Sequence, residues 1–179
     1  FVFMGRWFKR GPRSGIFVYF CWMKPLNLPA ADFKIKKLDG KVWIFDGVRK
    51  KFVVLTPEEW VRQHFINYLI VNHNYPRSLF RIEGSLAYNT MQKRSDILVY
   101  DRNGKPWMLI ECKSPDIKLS QNAFNQAGMY NMTVGARYVA VTNGMVHYCW
   151  LAPKAGEAGI FQEDFPSFEE DGLSSKSNT

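Results

Sequence analysis

The chain has 179 residues, 46% apolar and 22% charged. These are ordinary globular proportions, enough for a buried core, and they exclude collagen-like, coiled-coil and wholly disordered chains. The formal net charge is +8, and no apolar run approaches the roughly 18 residues that a membrane-spanning helix needs.

The positive charge is concentrated at one end. Residues 1–51 hold 12 basic and 3 acidic residues, the remainder 12 and 13, and residues 155–171 hold six acids and no base. A basic half points to a polyanionic partner, most often nucleic acid; a solvated face without a partner is the alternative. The three cysteines, Cys21, Cys112 and Cys149, are too scattered for a disulfide scaffold or a CxxC metal site. They read as reduced thiols of a cytoplasmic protein.

Residues 1–22 mix Phe, Trp and Arg without periodicity, and their short apolar stretch lacks the small-x-small site of a signal peptide. Met23 is the expected natural start. Residues 1–22 are then an atypical extension outside the core, residues 23–168 one domain, and residues 169–179 a disordered acidic and Ser-rich tail. Within residues 33–55, Lys41 to Phe45 and Lys51 to Leu55 are aromatic and β-branched and read as strands, with a turn at Asp46-Gly47. Residues 56–72 predict a helix: Thr56 at the N-cap, Pro57 in the first turn, Glu59 completing a capping box. Val61, Phe65, Tyr68 and Leu69 recur on one face of it. Leu79 to Ala87, Arg94 to Tyr100 and Trp107 to Lys113 read as strands. Residues 120–134 predict a second helix with Ser120 at its N-cap, and Arg137 to Thr142 and Met145 to Leu151 two more strands around Asn143-Gly144. The pattern is α/β, one mixed central β-sheet flanked by helices.

Asn103-Gly104 is a strong hairpin signal. With a two-residue loop there, opposed residues have numbers summing to 207. Asp96 then faces Glu111, and Arg94 faces Lys113. Because side chains alternate, Asp96, Glu111 and Lys113 share one face, while Ile97, Val99, Ile110 and Cys112 point the other way. Two opposed carboxylates repel. Lys113 relieves them in part; a divalent cation bound by carboxylate, carbonyl and water oxygens does so better, and Mg²⁺ prefers such ligands. An adjacent ammonium suits charge developing on a scissile phosphate.

The order Asp96-x14-Glu111-x-Lys113 resembles the PD-(D/E)xK nuclease superfamily, with Ser95 standing where a Pro is usual. Gln126-Ala-Gly-Met-Tyr130 is similar to the Q-x-x-x-Y motif of type I restriction enzyme R-subunit nuclease domains. The blocks Thr56 to Gln63, Lys93 to Asp96, Leu109 to Lys113 and Val141 to Gly144 resemble the family named for the N-terminus of that R protein. The likeness runs from about Met23 to Phe168. It implies a restriction-endonuclease-like core and phosphodiester hydrolysis of DNA with Mg²⁺ or Mn²⁺. Asp96 and Glu111 would bind the metal, helped by the Cys112 backbone carbonyl, with Lys113 as catalytic lysine. A glutamate on the first helix often joins such sites; Glu59 is preferred to Glu58. Gln126 and Tyr130 would face DNA or the site. Arg49, Lys50, Lys51 and Arg94 are candidate phosphate contacts. A homodimer would serve to cut both strands, and restriction-complex subunits are the implied protein partners.

Each assignment has a structural alternative. An Asp–Glu–Lys trio is often a solvated face, Glu59 is occupied by its cap, Tyr130 has core spacing, Gln126 fits a solvent-facing position, and Arg49-Lys50-Lys51 suits the protection of an edge strand. Trp43 and Trp60 are expected to pack rather than stack on bases. His64, His73 and His147 lack ligand spacing and are not expected to bind metal. No GxxxxGK[ST] motif occurs, so this chain is not expected to hydrolyse ATP. A non-catalytic nucleic-acid-binding module and a docking domain of a restriction or defence complex are the rival readings.

Overall fold

Two β-sheets stand where the sequence predicts one. The computed structural model describes residues 23–82, 96–153 and 159–168. The first sheet is a three-stranded antiparallel meander of β1 (Ile35–Leu38), β2 (Lys41–Asp46) and β3 (Lys51–Val54). The second has six strands, β4 (Phe80–Ile82), β5 (Ile97–Tyr100), β6 (Pro106–Cys112), β7 (Tyr138–Thr142), β8 (His147–Leu151) and β9 (Ile160–Gln162), in that spatial order. It is antiparallel throughout except for the parallel pair β6–β7. Helix α1 (Pro57–Asn72) joins the two sheets in sequence, and α2 (Gln121–Val134) makes the crossover that a parallel pair requires. The expected mixed sheet between helices is therefore present. The N-terminal strands do not join it and form a separate meander. β9 was not foreseen, being three residues long in an acidic stretch.

The helices cover opposite faces of the large sheet. Val61, Phe65 and Leu69 of α1 are fully buried against Ile97, Val99, Met108, Ile110 and Cys112. Each such burial is worth about 1.5–3 kcal/mol. Ala127 of α2 packs with Leu98, Leu109, Val139 and Val141 on the other face. Strand β6 is consequently apolar on both sides from Trp107 to Ile110, as an internal strand of a two-faced sheet should be.

The caps differ from expectation in one respect each. Thr56 Oγ1 accepts from Glu59 N at 3.1 Å, but the Glu59 carboxylate turns to basic partners instead of closing the capping box. Ser120 occupies the α2 N-cap without a side-chain cap bond. α2 ends at Gly135 in the left-handed region (φ 72°), whose N–H donates to Asn131 O at 2.7 Å.

The β5–β6 hairpin also corrects the prediction while preserving its consequence. Its loop has three residues, not two: Asp101 N donates to Lys105 O at 2.8 Å, and Gly104 takes φ 77°. Asp101 Oδ1 accepts from Asn103 N and Lys105 N, each at 2.8 Å. That shifts the register by one, so Tyr100 faces Pro106. An irregularity between Val99 and Tyr100 then shifts it back, and Val99–Met108, Leu98–Leu109 and Ile97–Ile110 pair as foreseen.

Candidate functional site

The carboxyl ends of β6 and β7, the residue preceding β5 and the first turns of α1 meet at one end of the large sheet. In open α/β sheets, ligands collect outside the carboxyl ends of strands. Asp96 immediately precedes the Ile97–Ile110 pair and Glu111 immediately follows it. Glu111, inside β6, alternates with Ile110 and Cys112, while Asp96, just before β5, turns to Arg62 of α1 and to the Cys112 amide.

Asp96 is held twice. Its Oδ2 accepts from Cys112 N at 2.7 Å, and its Oδ1 accepts from Arg62 Nη2 at 2.7 Å. Glu111 Oε1 accepts from Lys113 Nζ. Lys113 is fixed from behind, its backbone N–H donating to Thr142 O at 2.8 Å. Burial, and then the negative charge of Asp96, push the Glu111 carboxyl above its ordinary range, although the Lys113 ammonium opposes this. Burial alone would depress Lys113; the bond to Glu111 and the nearby acids outweigh it and hold the ammonium above its usual value. Lys113 is a cation at neutral pH.

The two glutamates of the first α1 turn divide differently from expectation. Glu59 is buried and saturated: Oε1 accepts from Arg49 Nη2 at 2.8 Å and from Gln63 Nε2 at 2.7 Å, and Oε2 pairs with Arg62. It reaches Asp96 only through Arg62. Glu58 is the more open one, and burial and then Asp96 raise its carboxyl while Arg62 and Lys113 pull it down. Thus Glu58, not Glu59, shares the field of Asp96, Glu111 and Lys113. Arg62 was not singled out from the sequence, yet it binds Glu58, Glu59 and Asp96 together. The available signal was its i+4 and i+3 spacing from the two glutamates.

The remaining candidates disperse. Arg49 is an internal tie, pairing with Asp46 and Glu59, whereas Lys50 and Lys51 are exposed. Arg94 lies outside the described residues. Gln126 is exposed on α2, and Tyr130 is partly buried against the α2-side core. Cys112 is buried, its thiol pushed well up by burial. Trp60 is buried in contact with Phe33 and His64, while Trp43 is only partly covered. Asn143 has a structural part in the site's frame. Its Nδ2 donates to Ile117 O at 2.9 Å and its Oδ1 accepts from Met145 N and Val146 N, tying the loop after Lys113 to the end of β7. Among the described residues no three His, Cys, Asp or Glu side chains form a metal-binding group by themselves. No helix there is long and apolar enough to cross a membrane.

The family profile described as type I restriction enzyme R protein N terminus matches residues 57–166, from the first turn of α1 past β9. A solved fragment described as an HsdR subunit of a type I restriction enzyme from Vibrio vulnificus YJ016 is similar at 26% sequence identity and a TM-score of 0.36, over 51% of this chain and 17% of that one. No curated protein matches.

Proposed function

Because this chain belongs to the type I restriction enzyme R protein N-terminal family, we propose that it is a metal-dependent deoxyribonuclease domain of a restriction system, of the PD-(D/E)xK type. The reading is supported by the Ile97–Ile110 pair that Asp96 and Glu111 flank, by the charge of Asp96 felt at Glu111, and by the Lys113 ammonium bonded to Glu111. An all-oxygen set of two carboxylates, the Cys112 carbonyl and water suits Mg²⁺ or Mn²⁺. The Glu111 carboxyl is raised first by burial and then by the charge of Asp96; a cation between the two acids would relieve the second of these. Bound there, the metal would supply Lewis-acid polarisation of the phosphate and an activated water.

The chain's own groups have separate tasks. Lys113, protonated, donates to a non-bridging phosphate oxygen as negative charge develops on it. Arg62 and the Cys112 amide orient Asp96. Glu58 extends the acidic rim on the solvent side. DNA and the subunits of a restriction complex are the proposed partners, with a homodimer as the arrangement that cuts both strands.

The test is nicking of supercoiled plasmid in Mg²⁺. Wild type should nick; Lys113→Ala and Asp96→Asn should lose about 10²–10³-fold, as when one transition-state donor is removed. Equal nicking by all three rejects the proposal. One observation favours a second reading, a non-catalytic binding or docking module. Asp96 and Glu111 already hold Arg62 and Lys113, and no three-acid group stands ready among the described residues. Salt-sensitive DNA binding without Mg²⁺ uptake would favour that module.

A further inference from the structure

The three-stranded sheet precedes the residues that the family profile matches. Its register separates two unlike faces. Ile35, Ile44 and Val53 lie in one cross-strand row. Ile44 is fully buried, and so is Asp46 two residues on along the same face. That side is turned into the protein. The opposite side carries Lys36 beside Trp43, Phe45 beside Phe52, and Lys41 at the β1–β2 turn, with Lys34 bonded through its backbone oxygen to Phe45 N. The lysines are exposed and the three rings partly so.

The chemistry of this face is unusual for a solvated sheet. Phe45 and Phe52 meet edge to face with centroids 5.3 Å apart. Lys36 Nζ stands 4.3 Å from the Phe52 centroid and Lys34 Nζ 5.8 Å from that of Phe45. By alternation none of the strands' acids shares the face: Asp46 is on the buried side, and Asp39 is in the turn. Aromatic rings interleaved with lysines, without acids, match a ligand that offers flat apolar faces and a regular row of negative charge. A single nucleic-acid strand does so, because its unpaired bases can lie on rings while its phosphates meet ammonium groups. A duplex hides its base faces and satisfies only the lysines.

We propose that the outer face of this sheet is a docking surface for single-stranded nucleic acid, with Trp43, Phe45 and Phe52 as stacking positions and Lys34, Lys36 and Lys41 as phosphate contacts. The surface is tied to the acidic site by a continuous chain of charge. Arg49, from the β2–β3 loop, bonds Glu59; Glu59 bonds Arg62; Arg62 bonds Asp96. The platform and the site therefore share one frame. Binding at the platform does not depend on the nuclease reading.

Fluorescence anisotropy of the full chain with labelled oligo-dT, oligo-rU and a mixed-sequence duplex, all in EDTA, separates the two proposals because no metal or cleavage is involved. Wild type should bind the single strands more tightly than the duplex, and Trp43 emission should change on binding. Trp43→Ala and Phe45→Ala should each weaken single-strand binding by about 10-fold, the stacking loss expected per base. Lys36→Ala and Lys41→Ala, which leave the fold's packing alone, should each lower the slope of log K against log salt by about 0.7. The ratio of the two oligonucleotide arms decides DNA or RNA. Duplex binding as tight as single-strand binding overturns the proposal, as does unchanged affinity in a folded Trp43→Ala together with unchanged slopes in the lysine variants. Either result leaves plasmid nicking to be judged separately.

Discussion

Glu59 and Glu111 lie on either side of Arg62 and Asp96, and both are mostly buried, with side chains 7% and 19% exposed. Glu59 has two arginines and an amide around it; Glu111 has one ammonium and a neighbouring acid. The first is a finished ionic joint that locks the β2–β3 loop to α1. The second has a single ammonium against its own charge and that of Asp96, and it lies at the mouth of the sheet. Burial of an acid does not by itself mark a site; the shortfall in its partners does.

Breaking the joint should have the largest effect. Arg62→Ala leaves Glu59 and Asp96 short of their shared cation. It should cost about 3–5 kcal/mol, the usual penalty for stranding a buried charge, read as a fall in the urea midpoint. Arg62→Lys should recover only part of this, since one ammonium cannot span Glu58, Glu59 and Asp96 as the forked guanidinium does. An Arg62→Ala protein as stable as wild type would mean that the joint is ornamental.

Metal linkage sharpens the contrast next. Mg²⁺ at about 100 times its dissociation constant should stabilise wild type by about 2.7 kcal/mol, seen as a higher melting temperature. Glu111→Gln should abolish that gain, Glu58→Gln reduce it, and Glu59→Gln lower the baseline but keep the gain. Equal Mg²⁺ shifts in the Glu59 and Glu111 variants would erase the distinction between the two acids.

How much of this was readable in advance follows the range of the forces. Local signals carried well: Thr56-Pro57 opened α1, and the helical spacing of Val61, Phe65 and Leu69 found its buried face. The hairpin order brought Asp96 and Glu111 to the same end of the β5–β6 pair. The register came out as foreseen at Ile97–Ile110 only because a longer loop and a strand irregularity offset one another. No local pattern encodes that cancellation. The pairing of Glu59 was not legible for a tertiary reason, since Arg49 arrives from a different sheet to bond it. Nor does alternation say that β1–β3 form a separate sheet, because partner choice depends on what the remaining edges already bind.

Two glycines test the packing behind the site through the difference between them. Gly144 has φ 80°, and a Cβ there would lie 2.7 Å from Leu26 Cδ2 and 3.0 Å from Val61 Cγ2. Gly144→Ala should cost about 1–3 kcal/mol for overpacking, beyond the left-handed backbone cost of about 1–2 kcal/mol. Gly104 has φ 77° and nothing within 4 Å of such a Cβ, so Gly104→Ala should show the backbone cost alone. The difference between the two urea midpoints isolates how tightly the Asn143-Gly144 turn is clamped onto α1.

The smallest expected effect is a dependence on pH in which the two kinds of acid and the histidines pull apart. Burial depresses His64 and His147 below the ordinary imidazole value, though Trp60 O and Asn27 O oppose this. A depressed folded value means that their contribution is present above about pH 6.5 and is lost as pH falls through the folded values, at about 1.4 kcal/mol per unit of depression. Glu111 and Glu58 are raised, so their protonated forms favour the folded state. Their contribution is lost as pH rises from the ordinary carboxyl value through the raised one, and regained on acidification. On acidification the two groups therefore oppose each other. In metal-free protein, His64→Phe should flatten the fall of the urea midpoint with acidification, and Glu111→Gln should steepen it. Parallel profiles for wild type and Glu111→Gln would mean that burial and the charge of Asp96 do not raise the acid at the sheet mouth, and the electrostatic argument for an incoming cation would fall with them.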